Sequence, residues 1–589
     1  MLLRSLLRCD TFAVTNPFVN KARPMIAKKA GAIVSEVPSM GSDWRYSPTL
    51  PELLYTAEQC RAIDAGIINS GTPGLVLMKR AARAAFQKIQ RIYCSRDTEK
   101  RSIFVFCGKG NNAGDGYLLA QLATDAGYTV LTIELAEAAT LTADARSARE
   151  HLVQAGGQVV GWRSFDIEQI SQACIIVDAI LGTGIVGVPR ADYAQAILAI
   201  NQQASMTQSC VVSLDIPSGL CSDTGASSGN EYGSTTIVAD HTICFVALKQ
   251  GLILGDARAY VGEITFDSLI GDCDAPIPTP SHLARCRVEK LAAGWPRSVA
   301  LANKYTNDAV TVIGGDFGMG GAPLMSASAA LRLGAGLVKL ITRPENSAAA
   351  VTYQPELLVQ GVDENLQSLE TIIPRQTGIV CIGPGLGQAR WARQLLEQVL
   401  EYAAENEILL VVDADALNLI ASNSDIRQRF VNTGNTIITP HMGEARRLLQ
   451  SVDASTPEGA NALLSRSSSL EMARQLSSAL NTRVVLKGPA TVCVTSPQRA
   501  EYESAGAPVL DRCCLYGNSV LATAGTGDVL VGMLAAALLR YDDIDLAIEM
   551  AVTLQTVAAD YHCRVSGRVG FTAISTVDAA VDLLCELDP

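Results

Sequence analysis

Short runs of β-branched and aliphatic residues alternate with helix-forming stretches along most of this 589-residue chain, and no other feature limits the fold as strongly. Ile103–Phe106, Thr129–Glu134, Ile175–Asp178, Val211–Asp215 and Thr242–Val246 come first, with helical segments between them. Strands joined through helices return in one direction, so the pattern predicts right-handed βαβ units and a parallel sheet. The alternation stops at Asp274–His282, where three prolines fall within seven residues. It restarts with Val310–Ile313, Leu337–Ile341, Ile379–Ile382, Leu409–Asp413, Thr436–Thr439 and Val484–Leu486. The prediction is an α/β chain of two domains, 46–273 and 283–589, joined by a linker at 274–282 and preceded by a disordered or targeting-like tail at 1–45. The length agrees, at about 100–200 residues per domain. Within the first domain, "TAEQ" at Thr56–Gln59 has the form of a capping box opening a helix that runs to about Asn69.

Composition narrows the partners. A charged fraction of 18% with a net charge of −12 gives no basic face for nucleic acid, but leaves room for a small anion held by a few backbone N–H groups. The longest apolar run, Val529–Leu539, is bounded by Asp528 and Arg540. It falls short of the roughly 18 residues a membrane span needs, so no membrane partner is expected. Sixteen scattered cysteines without a C-x-x-C pair are neither a disulfide framework nor a zinc site, and the five histidines have no ligand spacing. Reduced thiols in a cytoplasmic protein are the expectation, with a homo-oligomer as the expected assembly.

Two loop constellations carry chemistry. In the first, "IFVFCGKGNNAGDGYLLAQLA" is a strand, a Gly/Asn loop and a helix whose N-terminal amides suit phosphate. The spacing is neither G-x-G-x-x-G nor a Walker loop. Two further strands end in polar turns, "IIVDAILGTGIVG" and "VVSLDIPSGL". Carboxyl ends of parallel strands share one edge, so Asn112, Asp115, Asp178, Gly182–Gly187, Asp215 and Ser218 should surround one crevice. Asp215, at a strand end inside it, is the first choice as acid/base group; Asp115 and Lys249 rank behind it.

The motifs "GKGNNAGDGY", "VDAILGTG", "DIPSG" and "ALKQG", in this order, resemble those of the NAD(P)H-hydrate epimerase domain over about Tyr55–Leu269. The resemblance implies a Rossmann-like parallel-sheet domain that interconverts the R and S forms of NADH and NADPH hydrated at nicotinamide C6. It implies hydrate contacts from Asn111, Asn112, Ala113, Gly114 and Asp115, from Gly182, Thr183, Gly184, Ile185, Val186, Gly187 and Val188, and from Asp215. It also implies a potassium ion on Asn112, Asp178 and Ser218. Ala113 stands where the family usually has glycine, and its methyl requires a negative φ.

In the second constellation, "LATAGTGDVLVGMLAAALL" sets Gly525, Thr526 and Gly527 before a helix with Asp528 in its first turn. Such an N-terminus forms an anion hole, and an Asp there can take a proton from a substrate hydroxyl. Sugar and vitamin kinases share this G-x-G-D chemistry. "VIGGDFGMGGAPLMSASAALRLGAGLV", "CIGPGLG", "VVDADALNLI", "ITPHMGEA", "LKGPATVCV" and "AGTGD" resemble, in order, the ribokinase-like ADP-dependent NAD(P)H-hydrate dehydratases over about Leu283–Leu584. By that resemblance Ala322, Gly387, His441 and Asp528 contact the hydrate, and Lys487, Gly488, Pro489, Ala490, Thr491 and Gly527 contact ADP. Mg2+ is implied with the nucleotide. Three positions depart from the family: Asn303-Lys304-Tyr305 for H-K-G, Pro489-Ala490 in place of Ala-Gly, and Val520 for a glycine. A repair enzyme for NADHX and NADPHX is the expectation. A kinase and a non-catalytic binding protein are the alternatives, the first disfavoured by the fused epimerase-like domain and the second by the retained Asp115, Asp215 and Asp528.

Overall fold

A computed structural model describes residues 43–587, apart from 44, 46, 48, 95–101, 185–186, 231–232, 271–281, 293, 296–308, 366–367, 453–467 and 496–509. In chain order its strands are β1 (Leu53–Leu54), β2 (Ser102–Cys107), β3 (Thr129–Glu134), β4 (Gln158–Gly161), β5 (Ile175–Ala179), β6 (Cys210–Leu214), β7 (Gly229–Asn230), β8 (Gly233–Ser234), β9 (His241–Phe245) and β10 (Glu263–Asp267). They continue as β11 (Leu283–Arg285), β12 (Ala309–Ile313), β13 (Leu337–Thr342), β14 (Leu358–Gly361), β15 (Thr377–Ile382), β16 (Leu409–Val412), β17 (Thr436–Ile438), β18 (Arg483–Leu486), β19 (Thr491–Val494) and β20 (Asp511–Cys514).

The first large sheet has the order β10-β9-β6-β5-β2-β3-β4, and every neighbouring pair is parallel. The five strands expected from sequence form its centre. The two edge strands were not foreseen, because β4 and β10 are half-exposed and lack a continuous apolar run. Val105, Val177 and Val212 in the centre are fully buried beneath the helix Asn111–Asp125. Each such side chain contributes about 1.5–3 kcal/mol. The capping box forms as expected: Thr56 Oγ1 accepts from Gln59 N at 3.2 Å, and Gln59 Oε1 accepts from Thr56 N at 2.9 Å. The helix it opens is Ala57–Asn69.

The second sheet has the order β1-β11-β20-β19-β18-β17-β16-β15-β12-β13-β14. From β18 to β14 all pairs are parallel, as expected. The other edge is mixed, since β19 runs antiparallel to both β18 and β20. The linker reading falls at residues 274–281, outside the described residues, so only His282 of it can be placed.

Leu53–Leu54, which the sequence places in the first domain, join the second sheet: β1 pairs antiparallel with β11. The cause is Arg285, a buried guanidinium whose Nε and Nη2 donate to the carbonyls of Pro51 and Leu50 at 2.8 and 2.5 Å. A buried charge left without such acceptors is costly, so the strap is held tightly. Its next residue, Tyr55, turns to the first domain, donating to Leu248 O and accepting from Gln250 N. Among the described residues every cysteine is a free thiol, and no helix is long and apolar enough to cross a membrane.

Candidate functional site

The first site lies at the carboxyl edge of β2, β5 and β6. Gly108 ends β2 where a Cβ would sit 1.9 Å from the Ile180 carbonyl oxygen, so only glycine lets the two loops meet. A cavity of about 490 Å³ opens there, lined among others by Asn111, Asn112, Asp115, Gly182, Thr183, Gly184, Asp215 and Lys249. Asp215 leaves β6 with φ +66°, a conformation that turns its carboxylate toward β9. There it accepts from Phe245 N at 3.2 Å and pairs with the buried Lys249 ammonium. That pairing outweighs burial and raises the Lys249 pKa.

Asn112, Asp178 and Ser218 meet behind the cavity wall around Leu181. Asn112 Nδ2 donates to Leu181 O at 2.9 Å, and Leu181 N donates to Ser218 Oγ at 2.9 Å. The Asp178 carboxylate is fully buried and accepts from Ser218 Oγ, Ser218 N, Ser213 Oγ and Ile180 N. Burial raises its pKa, and the Ser218 bonds oppose that rise. Among the described residues, Asn112 Oδ1 is buried without a hydrogen-bond partner.

The remaining expected residues distribute as follows. Ala113 lies inside the helix Asn111–Asp125, fully buried and without positive φ, so its methyl meets no strain. Gly114 faces Met78 rather than the cavity. Gly187 and Val188 do not line the cavity, and Ile185 and Val186 lie outside the described residues. Sequence reasoning missed Asp64. It projects from the helix Ala57–Asn69 into the same cavity, where burial, then the Asp215 charge, pushes its carboxyl up to about 6. Its only signal was an acid one turn from Cys60 on the buried stripe. Asp115 is also pushed well up, by burial and then by Asp215 and Asp64.

The second site occupies the carboxyl edge of β15 to β18, facing the helix Thr526–Leu538. Gly525 caps that helix at φ +90°, which a side chain would resist, and Asp528 falls in its first turn. Lys487, just past β18, donates from Nζ to Asp413 Oδ1 at 2.7 Å. The same Nζ would lie 3.2 Å from a Cβ on Gly527, so strand end and helix N-terminus adjoin. Burial, then the Asp413 charge, pushes the Asp528 carboxyl up to about 6, with Lys487 opposing. Asp413 is a strand-end carboxylate like Asp178 and Asp215, and that shared position was the signal by which it could have been singled out.

A cavity of about 550 Å³ is lined by Lys487, Gly488, Pro489, Thr491, Asn518 and Gly527, among others. Ala490 is buried and does not line it. His441 bridges to Lys487 as a neighbouring strand end and accepts from Gly443 N at Nδ1, 2.9 Å. Gly387 N donates to Asp415 Oδ2 at 2.9 Å, and Asp415 is one of the charges that raise Asp528. Ala322 sits in the helix Gly321–Arg332, which reaches Asp528 through a bond from Ser326 Oγ to its carbonyl at 2.7 Å. Pro489-Ala490 and Val520 are accommodated without positive φ, and Val520 N donates to Asn518 Oδ1. Asn303-Lys304-Tyr305 lies outside the described residues.

Comparison with known proteins agrees with this division. The family model described as YjeF-related protein N-terminus matches residues 74–251, and that described as NAD(P)H-hydrate dehydratase matches 310–578. The bifunctional NAD(P)H-hydrate repair enzyme Nnr of Escherichia coli is 37% identical over 464 residues, 78% of this chain and 80% of its own. That of Leishmania major is 35% identical over 539 residues, 87% and 89% of the two chains. A Bacillus subtilis ADP/ATP-dependent NAD(P)H-hydrate dehydratase co-crystallised with ATP and Mg2+ aligns with 51% of this chain and 97% of its own, at 24% identity and TM-score 0.40. With both family models matched in order on one chain, and relatives this similar over most of both lengths, the chain belongs to the bifunctional NAD(P)H-hydrate repair enzymes.

Proposed function

We propose that the first domain epimerises R and S NADHX and NADPHX at C6, and that the second dehydrates the S form with ADP, giving NADH or NADPH, AMP and phosphate. Asp528 carries the reading: a carboxyl near 6 in the first turn of a helix whose N-terminus adjoins Lys487. A base with that pKa is deprotonated at neutral pH yet keeps driving force for proton transfer. Asp528 takes the proton from the C6 hydroxyl as its oxygen bonds to the β-phosphorus of ADP. The bond from that phosphorus to the bridging oxygen breaks, and AMP leaves. The C6–O bond of the phosphate ester then breaks with loss of a C5 proton, which releases phosphate and restores the double bond. Lys487, Gly488, Pro489, Thr491 and Gly527 line the cavity that suits the nucleotide, with Ala322, Gly387 and His441 on the hydrate side.

In the first domain Asp215 is the acid/base group and the Lys249 ammonium holds it in place. Asn112, Asp178 and Ser218 fit potassium: among the described residues a fully buried carboxylate meets only hydroxyl and amide donors, and Asn112 Oδ1 has no partner. A bound potassium ion would supply the positive charge that this oxygen-rich pocket lacks. For Mg2+, among the described residues no group of three His, Cys, Asp or Glu side chains is set to hold a metal. The arrangement suits Mg2+ arriving on the diphosphate, with Asp415 the carboxylate available to it. It would neutralise phosphate charge during transfer.

The test is incubation of the full chain with mixed R and S hydrate plus ADP, following the return of dihydronicotinamide absorbance and assaying AMP and phosphate. A stable phosphorylated product without that absorbance indicates a kinase and defeats the reading. A parallel reaction with ATP decides the nucleotide preference.

A further inference from the structure

Arg258 belongs to the first domain, in the 3-10 turn Ala257–Ala259, yet it lines the second domain's proposed nucleotide cavity together with Tyr516 and Asn518. It donates from Nη2 to the Gly517 carbonyl, at the start of the segment that leads to the Gly525–Asp528 helix N-terminus. Arg45 of the strap donates to the same carbonyl and pairs with Asp560 at 3.0 Å, while Arg564 pairs with Asp43 at 2.9 Å. The two carboxylates of this cluster are thus engaged by Arg45 and Arg564. Among the described residues Arg258 faces no carboxylate at ion-pair distance, and carbonyl donation leaves most of its five N–H groups unused. Residue 258 also lies outside the 74–251 and 310–578 segments that the family models match.

A guanidinium with no carboxylate at ion-pair distance among the described residues, open to a cavity that already holds Lys487 and a helix N-terminus, is suited to receive phosphate oxygens. Burial and the neighbouring Arg45 charge lower its pKa against the opposing Asp560 and Asp43 charges, and an incoming anion would add to that opposition. We propose that Arg258 binds the diphosphate of the nucleotide, so that the dehydratase site is completed by a residue donated from the epimerase domain. This deepens the proposed function and rests on the nucleotide occupying that cavity. The geometry gives the fused chain a consequence beyond shared substrates: the second active site is whole only while the first domain is docked on it.

Calorimetric binding of ADP and of adenosine to the full chain tests the proposal, using Arg258→Ala, Arg258→Lys and, as a control for the cavity, Lys487→Ala. The expected result is a 10–100-fold weaker ADP affinity in Arg258→Ala (about 1.4 kcal/mol per tenfold), partial recovery in Arg258→Lys, and adenosine affinity unmoved. In turnover the loss should appear in KM for ADP rather than in kcat. If Arg258→Ala binds ADP as the wild type does while Lys487→Ala loses it, the cavity is right and Arg258 is idle. If adenosine weakens in step with ADP, Arg258 only holds the two domains together. If neither variant affects ADP, the nucleotide does not occupy this cavity and the underlying reading fails.

Discussion

Replacing Asp528 by asparagine should move catalysis and stability in opposite directions. The carboxyl stands at about 6 against an ordinary 3.8, because burial and the Asp413 charge disfavour its ionised form. At about 1.4 kcal/mol per pKa unit, that shift bounds the penalty of carrying the charge at about 3 kcal/mol. Asp528 is partly exposed, so solvent screening lowers the realised share to about 1–2 kcal/mol. The native carboxyl holds its proton more tightly than the unfolded one. The folded state is therefore relatively favoured at low pH and loses that advantage as pH rises from about 4 through about 6. Asparagine has no such titration. In the ligand-free full chain, the apparent Tm of Asp528→Asn should exceed that of the wild type by a few degrees at pH 7–8, at about 2–4 °C per kcal/mol. The gap should shrink steadily towards pH 5. Turnover of the S hydrate should fall about 10²–10⁴-fold, since the amide keeps the shape but cannot accept the proton. A variant that melts below the wild type, or a gap flat from pH 5 to 8, refutes the electrostatic argument. Near-normal turnover removes Asp528 from the base role.

Asp215→Asn should slow epimerisation about 10²–10⁴-fold; it strands the buried Lys249 ammonium, so retained dehydration of the S epimer must confirm the fold, and unchanged epimerisation would exclude Asp215. Potassium in place of lithium should raise the apparent Tm of the wild type but not of Asp178→Asn, because among the described residues the buried Asp178 carboxylate accepts only from Ser213, Ser218 and Ile180. An equal rise in both proteins, or none in the wild type, would remove the ion from that pocket. A fragment starting at residue 283 lacks the Leu50 and Pro51 carbonyls that receive Arg285. Breaking a buried charge from its partners costs about 3–5 kcal/mol, so the fragment should unfold at lower urea than the same domain within the full chain, and equal midpoints would show that the strap contributes little.

Much of the candidate site was legible because its residues sit at strand ends. Asp178, Asp215 and Asp528 each close a short apolar run or open a helix, and parallel βαβ topology carries such ends to one edge regardless of sequence distance. The capping box at Thr56–Gln59 was legible for a similar reason, being local: both of its hydrogen bonds close within four residues. Edge strands such as β4 and β10 were not, since half-exposed strands carry no continuous apolar signal.

By itself the sequence determined the two α/β sheets and the two loop constellations, because hydrophobic periodicity and glycine-rich strand ends act over a few residues. Tertiary structure alone decided what depends on surfaces meeting. It put Asp64 in one cavity with Asp215, paired Lys249 with Asp215 and Lys487 with Asp413, and left Asn112 Oδ1 without a partner among the described residues. It also paired Leu53–Leu54 with the second sheet and brought Arg258 across to the cavity lined by Lys487 and Gly527. A charged side chain reveals no partner along the chain. Burial made those partners necessary, and only the packed fold determined which carbonyls and carboxylates came within reach.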